Sequence, residues 1–353
     1  MKTVREIINS LSHNEWSYYN TDNTDIRLTD AVLSDKNKAI EFIEDYFNLA
    51  GKERVLTFPA FDRNKEFVLN RAPHIISTFV LGLKIAECLD IITGDRDESG
   101  FSFQYRWFLT CLYHDIGYIY EKKTVCEWLR MTASDGLEAI QAVCDIHYVH
   151  DRIFKTYSRD IVDIYLKGRA KCSGGKVGVL DHGIVGGLLL YDGLRKQFER
   201  SWGKRTDKLH SLREDFYVIV KGRRLHCSNS HFNEYAKAAD AIIAHNIWLD
   251  TLQEYLNDEH IDLPVKDKQI KYSENELCFI LGLADSIEPL KRFEDFPERA
   301  ERVFFSFDNG VITIQSDQEI IQGEKGYGRI KDTEKWLGIK VENHTTYVEI
   351  HIL

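Results

Sequence analysis

The chain has 353 residues, 46 Lys and Arg against 56 Asp and Glu, a net charge of −10, and 43% hydrophobic residues. At roughly 150 residues per domain this length fits two domains, or one large domain with an appendage. The acidic balance argues against an extended nucleic-acid footprint, and no apolar run of about 18 residues exists to span a bilayer. The opening MKTVREIINSLSHNEW lacks the apolar core of a signal peptide. The cysteines Cys88, Cys111, Cys126, Cys144, Cys172, Cys227 and Cys278 are scattered without a C-x-x-C pair. They read as reduced thiols, so a cytoplasmic location is expected.

Helical periodicity dominates to about residue 300. In Asn37 to Leu49, Ile40, Ile43 and Phe47 recur at three- and four-residue spacing with Phe42 and Tyr46 on a neighbouring row, which predicts a helix with one buried face. Pro73 is expected in the first turn of the next helix, HIISTFVLGLKIAECL, which is apolar on most sides and therefore central. Further helices are predicted over Phe103 to Tyr120, Gly136 to Ile146, Arg152 to Lys167, His182 to Phe198, His231 to Leu249 and Asn275 to Leu290. The segment KCSGGKVG reads as a glycine-rich loop without phosphate-loop spacing. Lys204 to Ser230 reads as a polar insertion holding one short strand, FYVIV. After about Ala300, VFFSF and VITIQ flank Asp308-Asn309-Gly310 as a hairpin, and TTYVEIHIL alternates like a further strand. The expected architecture is mainly α, an N-terminal helical segment over 1–65, a helical bundle over 66–297 and a small β-containing tail over 298–353.

The chemistry lies in polar residues set inside apolar helical stretches, where an unsatisfied polar side chain costs several kcal/mol. They are His74 in RAPHIIST, His114 and Asp115 in CLYHDIGY, His182 in LDHGIVGG, His245 in AIIAHNIW and Asp285 in LGLADSIEP. A lone histidine on such a face is usually a satisfied core residue; five such sites on separate helices are not explained that way. Imidazole nitrogen with carboxylate oxygen suits Fe, Mn, Co, Ni or Zn, and six ligands exceed what one catalytic metal takes while keeping an open position. Two metals is the natural count. Asp115, with two oxygens, can bridge ions about 3.5–4 Å apart.

This ordered set, H…HD…H…H…D in helical context, resembles the HD superfamily of metal-dependent phosphohydrolases over roughly residues 66 to 297. LDHGIVGGLLLYD and AIIAHN resemble the helices that carry the third and fourth ligands there. ADSIEPLKR is similar to the ADxIEPxR ending of the subfamily that splits dinucleoside polyphosphates, with Arg292 one position late. The resemblance implies an HD-type helical bundle with one metal on His74, His114, Asp115 and Asp285 and a second on Asp115, His182 and His245. Asp115 is then the catalytic centre-piece, two divalent ions (Fe, Mn, Co, Ni or Mg) the cofactors, and a small phosphorylated compound of nucleotide type the substrate.

Where many relatives read H-D-x-G-K, this chain has Tyr118, which leaves the phosphate-binding role to Lys122, Lys123 or another cation such as Arg292. Arg71, Arg106, Arg152 and Lys291 also lie near ligand positions, with solvated or structural roles the simpler reading. His147, His150, His226 and His231 read as surface residues, and the stripe Phe101, Phe103, Tyr105, Trp107, Phe108 as core. The G-Y-P triplet of the cyclic-di-GMP-cleaving subfamily is absent. Three other functions remain as alternatives: an HD-fold di-iron oxygenase, which shares the ligands, a single-strand nuclease, and a non-catalytic HD sensor or scaffold, a kind of module that loses its ligands where this chain has kept all six.

Overall fold

The computed structural model describes residues 1–17, 26–49, 56, 66–91, 102–120, 136–172, 180–203, 215–220, 223–247, 249–258, 269–294 and 297–353. It is mainly helical, with a small C-terminal antiparallel sheet. None of the described helices is long and apolar enough to cross a membrane. The first elements are the helices Val4–Ser10, His13–Trp16 and Lys36–Leu49, the last matching the periodicity of its sequence. Thr3 opens the first of these with a capping box closed by Glu6.

The central helix is Glu66–Cys88, and Pro73 lies inside it instead of in its first turn. Proline there removes one backbone hydrogen bond, at a cost of about 3 kcal/mol. Burial of Ile76, Phe79, Val80 and Leu81 at its core offsets that cost, so tertiary packing overrides the local signal. Phe103–His114 crosses it at the aromatic heart of the molecule, where Phe108 stacks on Phe79 at 4.3 Å and meets Tyr46 edge-on at 4.5 Å. Trp107 donates its indole N–H to the Phe79 carbonyl at 2.8 Å.

Two predicted helices are each divided in two and a third ends early, and every such end falls beside a candidate ligand. Phe103–His114 stops at Asp115, with a 3-10 turn, Ile116–Tyr120, beyond it. The predicted His231 helix is Asn229–Ala244, followed after His245 by a second helix, Leu249–Asp258. The predicted Asn275 helix is Glu276–Ile287 followed by Pro289–Arg292. Glu288 between them is extended (φ −63°, ψ 121°), as the residue before a proline prefers. The Arg152 to Lys167 helix is displaced to Arg159–Cys172, because Lys155 N and Thr156 N bond to Asp240 Oδ1 (2.8 and 3.0 Å) and pull that stretch off a helical path.

Gly136–Cys144 and His182–Gly203 complete the described bundle. The insertion carries the predicted strand as β1 (Asp215–Val220), paired with an unpredicted partner, β2 (Arg223–Ser228). In the tail, β3 (Phe304–Asp308), β4 (Val311–Gln315), β5 (Ile339–Asn343) and β6 (Tyr347–Ile352) form an antiparallel sheet of order β3-β4-β6-β5. Asn309 and Gly310 make the hairpin turn at positive φ. The inward residues Phe305, Ile312, Ile314, Val348 and Ile350 join the same hydrophobic cluster as the helices. Lys2 exchanges backbone hydrogen bonds of 2.8 Å with Phe305, which ties the N-terminal residues to the sheet.

Candidate metal centre

The six residues singled out by pattern converge. His74 comes from the middle of Glu66–Cys88, His114 and Asp115 from the end of Phe103–His114, and His182 from the first position of His182–Gly203. His245 follows Asn229–Ala244, and Asp285 lies near the end of Glu276–Ile287. The turn at Asp115 (φ −100°, ψ −5°) lets two consecutive side chains face the same point. Two further contacts bring the His182 helix close. Gly117 lies against the His182 backbone and Gly183 against the Ile242 carbonyl, both too near to admit a Cβ.

Two buried groups of metal-ligating atoms result, His74–His114–Asp115 and Asp115–His182–His245, each with its ligand atoms within 4.8 Å of one another. Asp115 belongs to both. In the first group His74 Nε2 lies 3.2 Å from His114 Nε2 and 3.4 Å from Asp115 Oδ2. Asp285 Oδ1 joins it at 3.3 Å from His74 Nε2 and 3.5 Å from His114 Nε2. In the second, His182 Nε2 is 3.7 Å from Asp115 Oδ1, while His245 Nε2 is buried with no hydrogen-bond partner among the described residues. A buried, unpartnered imidazole nitrogen is costly in a metal-free interior and is what a ligand atom looks like before its ion.

The outer ring nitrogens support this reading. Nδ1 of His74 meets Glu288 Oε2 at 2.8 Å, that of His114 the Cys111 carbonyl at 2.7 Å, and that of His245 the Ile242 carbonyl at 2.6 Å. These acceptors place the proton on Nδ1 and turn the Nε2 lone pair inward, as metal-ligating histidines require. Glu288 is itself held by Leu290 N and Lys291 N, at 2.9 and 2.7 Å. Asp181 caps the His182 helix through Gly183 N (3.0 Å) and Ile184 N (3.2 Å), and its other oxygen accepts from Asn246 at 2.7 Å and pairs with Arg169.

Electrostatics differ across the centre. Burial opposes a charged His74, but Glu288, Asp115 and Asp285 outweigh it and push its pKa up to about 10. Burial together with His182 and His114 pushes His245 down to about 4. Burial alone would raise Asp115 and Asp285. The neighbouring His114 and Lys291 hold Asp115 well below the carboxylate range, and Lys291, with His114 and His74 beside it, does the same for Asp285.

Among the described residues, the cations at this centre are Lys291 and Arg71. Lys291 Nζ lies 3.1 and 3.2 Å from the Asp285 oxygens and 3.4 Å from Asp115 Oδ1, and Arg71 approaches Asp115 Oδ2 at 3.4 Å. Both are partly exposed, at 25% and 21% of the side chain, so the centre opens on their side. Tyr118, at the position where the resemblance implies a lysine, stacks on His182 at 3.9 Å and lies 5.2 Å under the Arg71 guanidinium. Arg292 turns away: its guanidinium bonds the Gly326 and Ser286 carbonyls and covers Tyr327 at 4.7 Å. Lys122 and Lys123 fall outside the described residues. Arg106 pairs with the buried Glu234 at 2.6 Å, and Arg152 lies elsewhere, on a separate cavity.

Comparison with protein-family models, with curated proteins and with solved structures finds no significant match for this chain.

Proposed function

We propose that the chain is a dinuclear metal-dependent phosphohydrolase of HD type, acting on a small nucleotide-like phosphate ester. The observation that carries this reading is the pair of ligand groups sharing Asp115, bordered by two cations, Lys291 and Arg71. His74, His114, Asp115 and Asp285 would hold one divalent ion, and Asp115, His182 and His245 the other. The ions would supply Lewis-acid activation of water and of the phosphoryl oxygens.

The chain's own residues supply the rest. Glu288 and the Cys111 and Ile242 carbonyls fix the imidazole tautomers, which spares the site that reorganisation when the substrate arrives. Lys291 and Arg71 stand on the open side, where an anionic phosphoryl group would enter, and favour phosphate over a neutral substrate. Tyr118 offers a ring face beside them.

The test is reaction class. Metal-free protein refilled with Mn is expected to release phosphate or a nucleoside phosphate from a nucleotide ester under strict anaerobiosis, because hydrolysis needs no redox change. Turnover that appears only with iron and oxygen would replace this reading with an oxygenase, and metal binding without turnover under either condition would leave a sensor. Lys291→Ala is expected to raise KM for the ester more than it lowers kcat.

A further inference from the structure

A second cavity, of about 650 Å³, lies at the start of the helix that carries Asp285 and along the side of Asn229–Ala244, and none of the six candidate ligands lines it. It is walled by the Arg152–Tyr157 turn, by Lys237 and Asp240 of Asn229–Ala244, and by residues 269–277 at the start of Glu276–Ile287. Asp285 is nine residues further along the latter helix than Glu276, about 13 Å at 1.5 Å per residue, so this cavity is separate from the metal centre.

Its lining is unusual for a chain of charge −10. Arg152, Lys155 and Lys271 all face it, and none of the three has an ion-pair partner among the described residues. Of the acids on the same wall, Asp240 is buried and spent on hydrogen bonds from Lys155 N, Thr156 N, Thr156 Oγ1 and Asn275 Nδ2, at 2.8 to 3.0 Å. Glu276 leans toward Arg106 at 3.7 Å, which leaves exposed Glu274 as the opposing charge. Tyr157, 3% exposed, lines the cavity with its hydroxyl buried and unpartnered among the described residues. Asn275 caps the Glu276–Ile287 helix within the same wall, so the positive end of that helix dipole adds to the field. Tyr272 stands on the rim, 37% exposed, its ring held edge-on by Phe279 at 6.1 Å.

Three cations without an ion-pair partner among the described residues, a helix N-terminus, an unpartnered buried hydroxyl and an exposed aromatic face define a ligand with clustered negative charge and a flat ring. The geometry points to a nucleotide polyphosphate, bound with its phosphates among Arg152, Lys155 and Lys271 and its base on Tyr272. The volume is that of an ordinary small-molecule site. The Asp240 hub ties the turn to both helices, so the walls are preformed. The inference does not depend on the hydrolase reading.

Calorimetric titration of the metal-free full-length chain in EDTA, with ATP and with inorganic triphosphate as probes, tests it. ATP is expected to bind saturably, and the exposed double variant Lys155→Glu/Lys271→Glu to weaken it by at least about tenfold, while Arg71→Ala/Lys291→Ala leaves it unchanged. Tyr272→Ala is expected to bring ATP down to the affinity of triphosphate, which lacks the ring. In the unmodified chain, ATP is expected to protect Lys155 and Lys271 from acetylation, read by peptide mass mapping. No saturable binding, binding lost in the Arg71/Lys291 variant but kept in the Lys155/Lys271 variant, or equal affinity for ATP and triphosphate would each overturn the assignment.

Discussion

The two halves of the metal centre share Asp115 and differ in almost everything else. The half built on His74 is acid-rich: Asp285 and Glu288 surround the imidazole, Lys291 and Arg71 border it, and it opens to solvent through partly exposed side chains. The half built on His245 is histidine-rich and buried, with His245 Nε2 unpartnered among the described residues. In the first half Asp115 Oδ2, though without a hydrogen bond, faces the cations His74 and Arg71, whereas in the second His245 Nε2 has neither a hydrogen bond nor an ion-pair partner among the described residues. The two halves would therefore differ in how they pay for ion binding, one by displacing protons and ammonium groups and the other by satisfying a buried nitrogen.

The change expected to do most harm removes what the halves have in common. Asp115→Asn replaces the shared carboxylate with a neutral amide and should abolish turnover and empty both halves while the far-ultraviolet circular dichroism stays unchanged. Retention of both ions would show that the halves do not depend on Asp115. Next in size, His74→Ala and His245→Ala should each take metal content from about two ions per chain to about one, from opposite halves. Elemental analysis of the single variants and of the double variant separates the two cases, since only independent halves empty additively.

Smaller effects come from the supporting carboxylates. Glu288→Gln loosens His74 and Asp181→Asn loosens the start of the His182 helix, so each should weaken metal binding about 10- to 100-fold in its own half alone. Competition titrations against a chromophoric chelator resolve this, and equal weakening of both ions by either variant would merge the halves into one unit. The finest distinction is protonic. With its pKa raised to about 10, His74 carries a proton at neutral pH in the metal-free protein, and an ion bound there must expel it. His245, lowered to about 4, is already neutral. Calorimetry in buffers of different ionisation enthalpy should show proton release that shrinks in His74→Ala and persists in His245→Ala.

The candidate ligands could be picked out because their signal is local: a histidine or aspartate in the middle of an apolar helical run has few reasons to be there. The same rule applied to Asp240 in AKAADAII would have flagged it, and there the carboxylate is satisfied by hydrogen bonds from a neighbouring turn. Asp181 carries a capping signal ahead of its helix that the ligand pattern overshadowed. The helix breaks beside ligands were partly legible. Glu288 precedes a proline, whose steric demand ends a helix, and Gly117 follows His114 closely, whereas the break after His245 has no proline or glycine to announce it.

The cations were the least legible. Lys122 and Arg292 follow the metal-ligand motifs in sequence, yet the Arg292 guanidinium is taken by backbone carbonyls and Tyr327, while its neighbour Lys291 reaches Asp115, 176 residues away in the chain. A long charged side chain goes where acceptors are, and periodicity says nothing of acceptors on other elements. The sequence by itself determined most of the helical stretches, the tail hairpin and which residues could bind metal, because burial imposes period and composition within a single element. Only the tertiary structure decided that those residues meet as two groups around one carboxylate and which cations border them. Those outcomes depend on the crossing of distant helices, on contacts that need Gly117 and Gly183, and on the competition of each charge for partners that the linear order does not reveal.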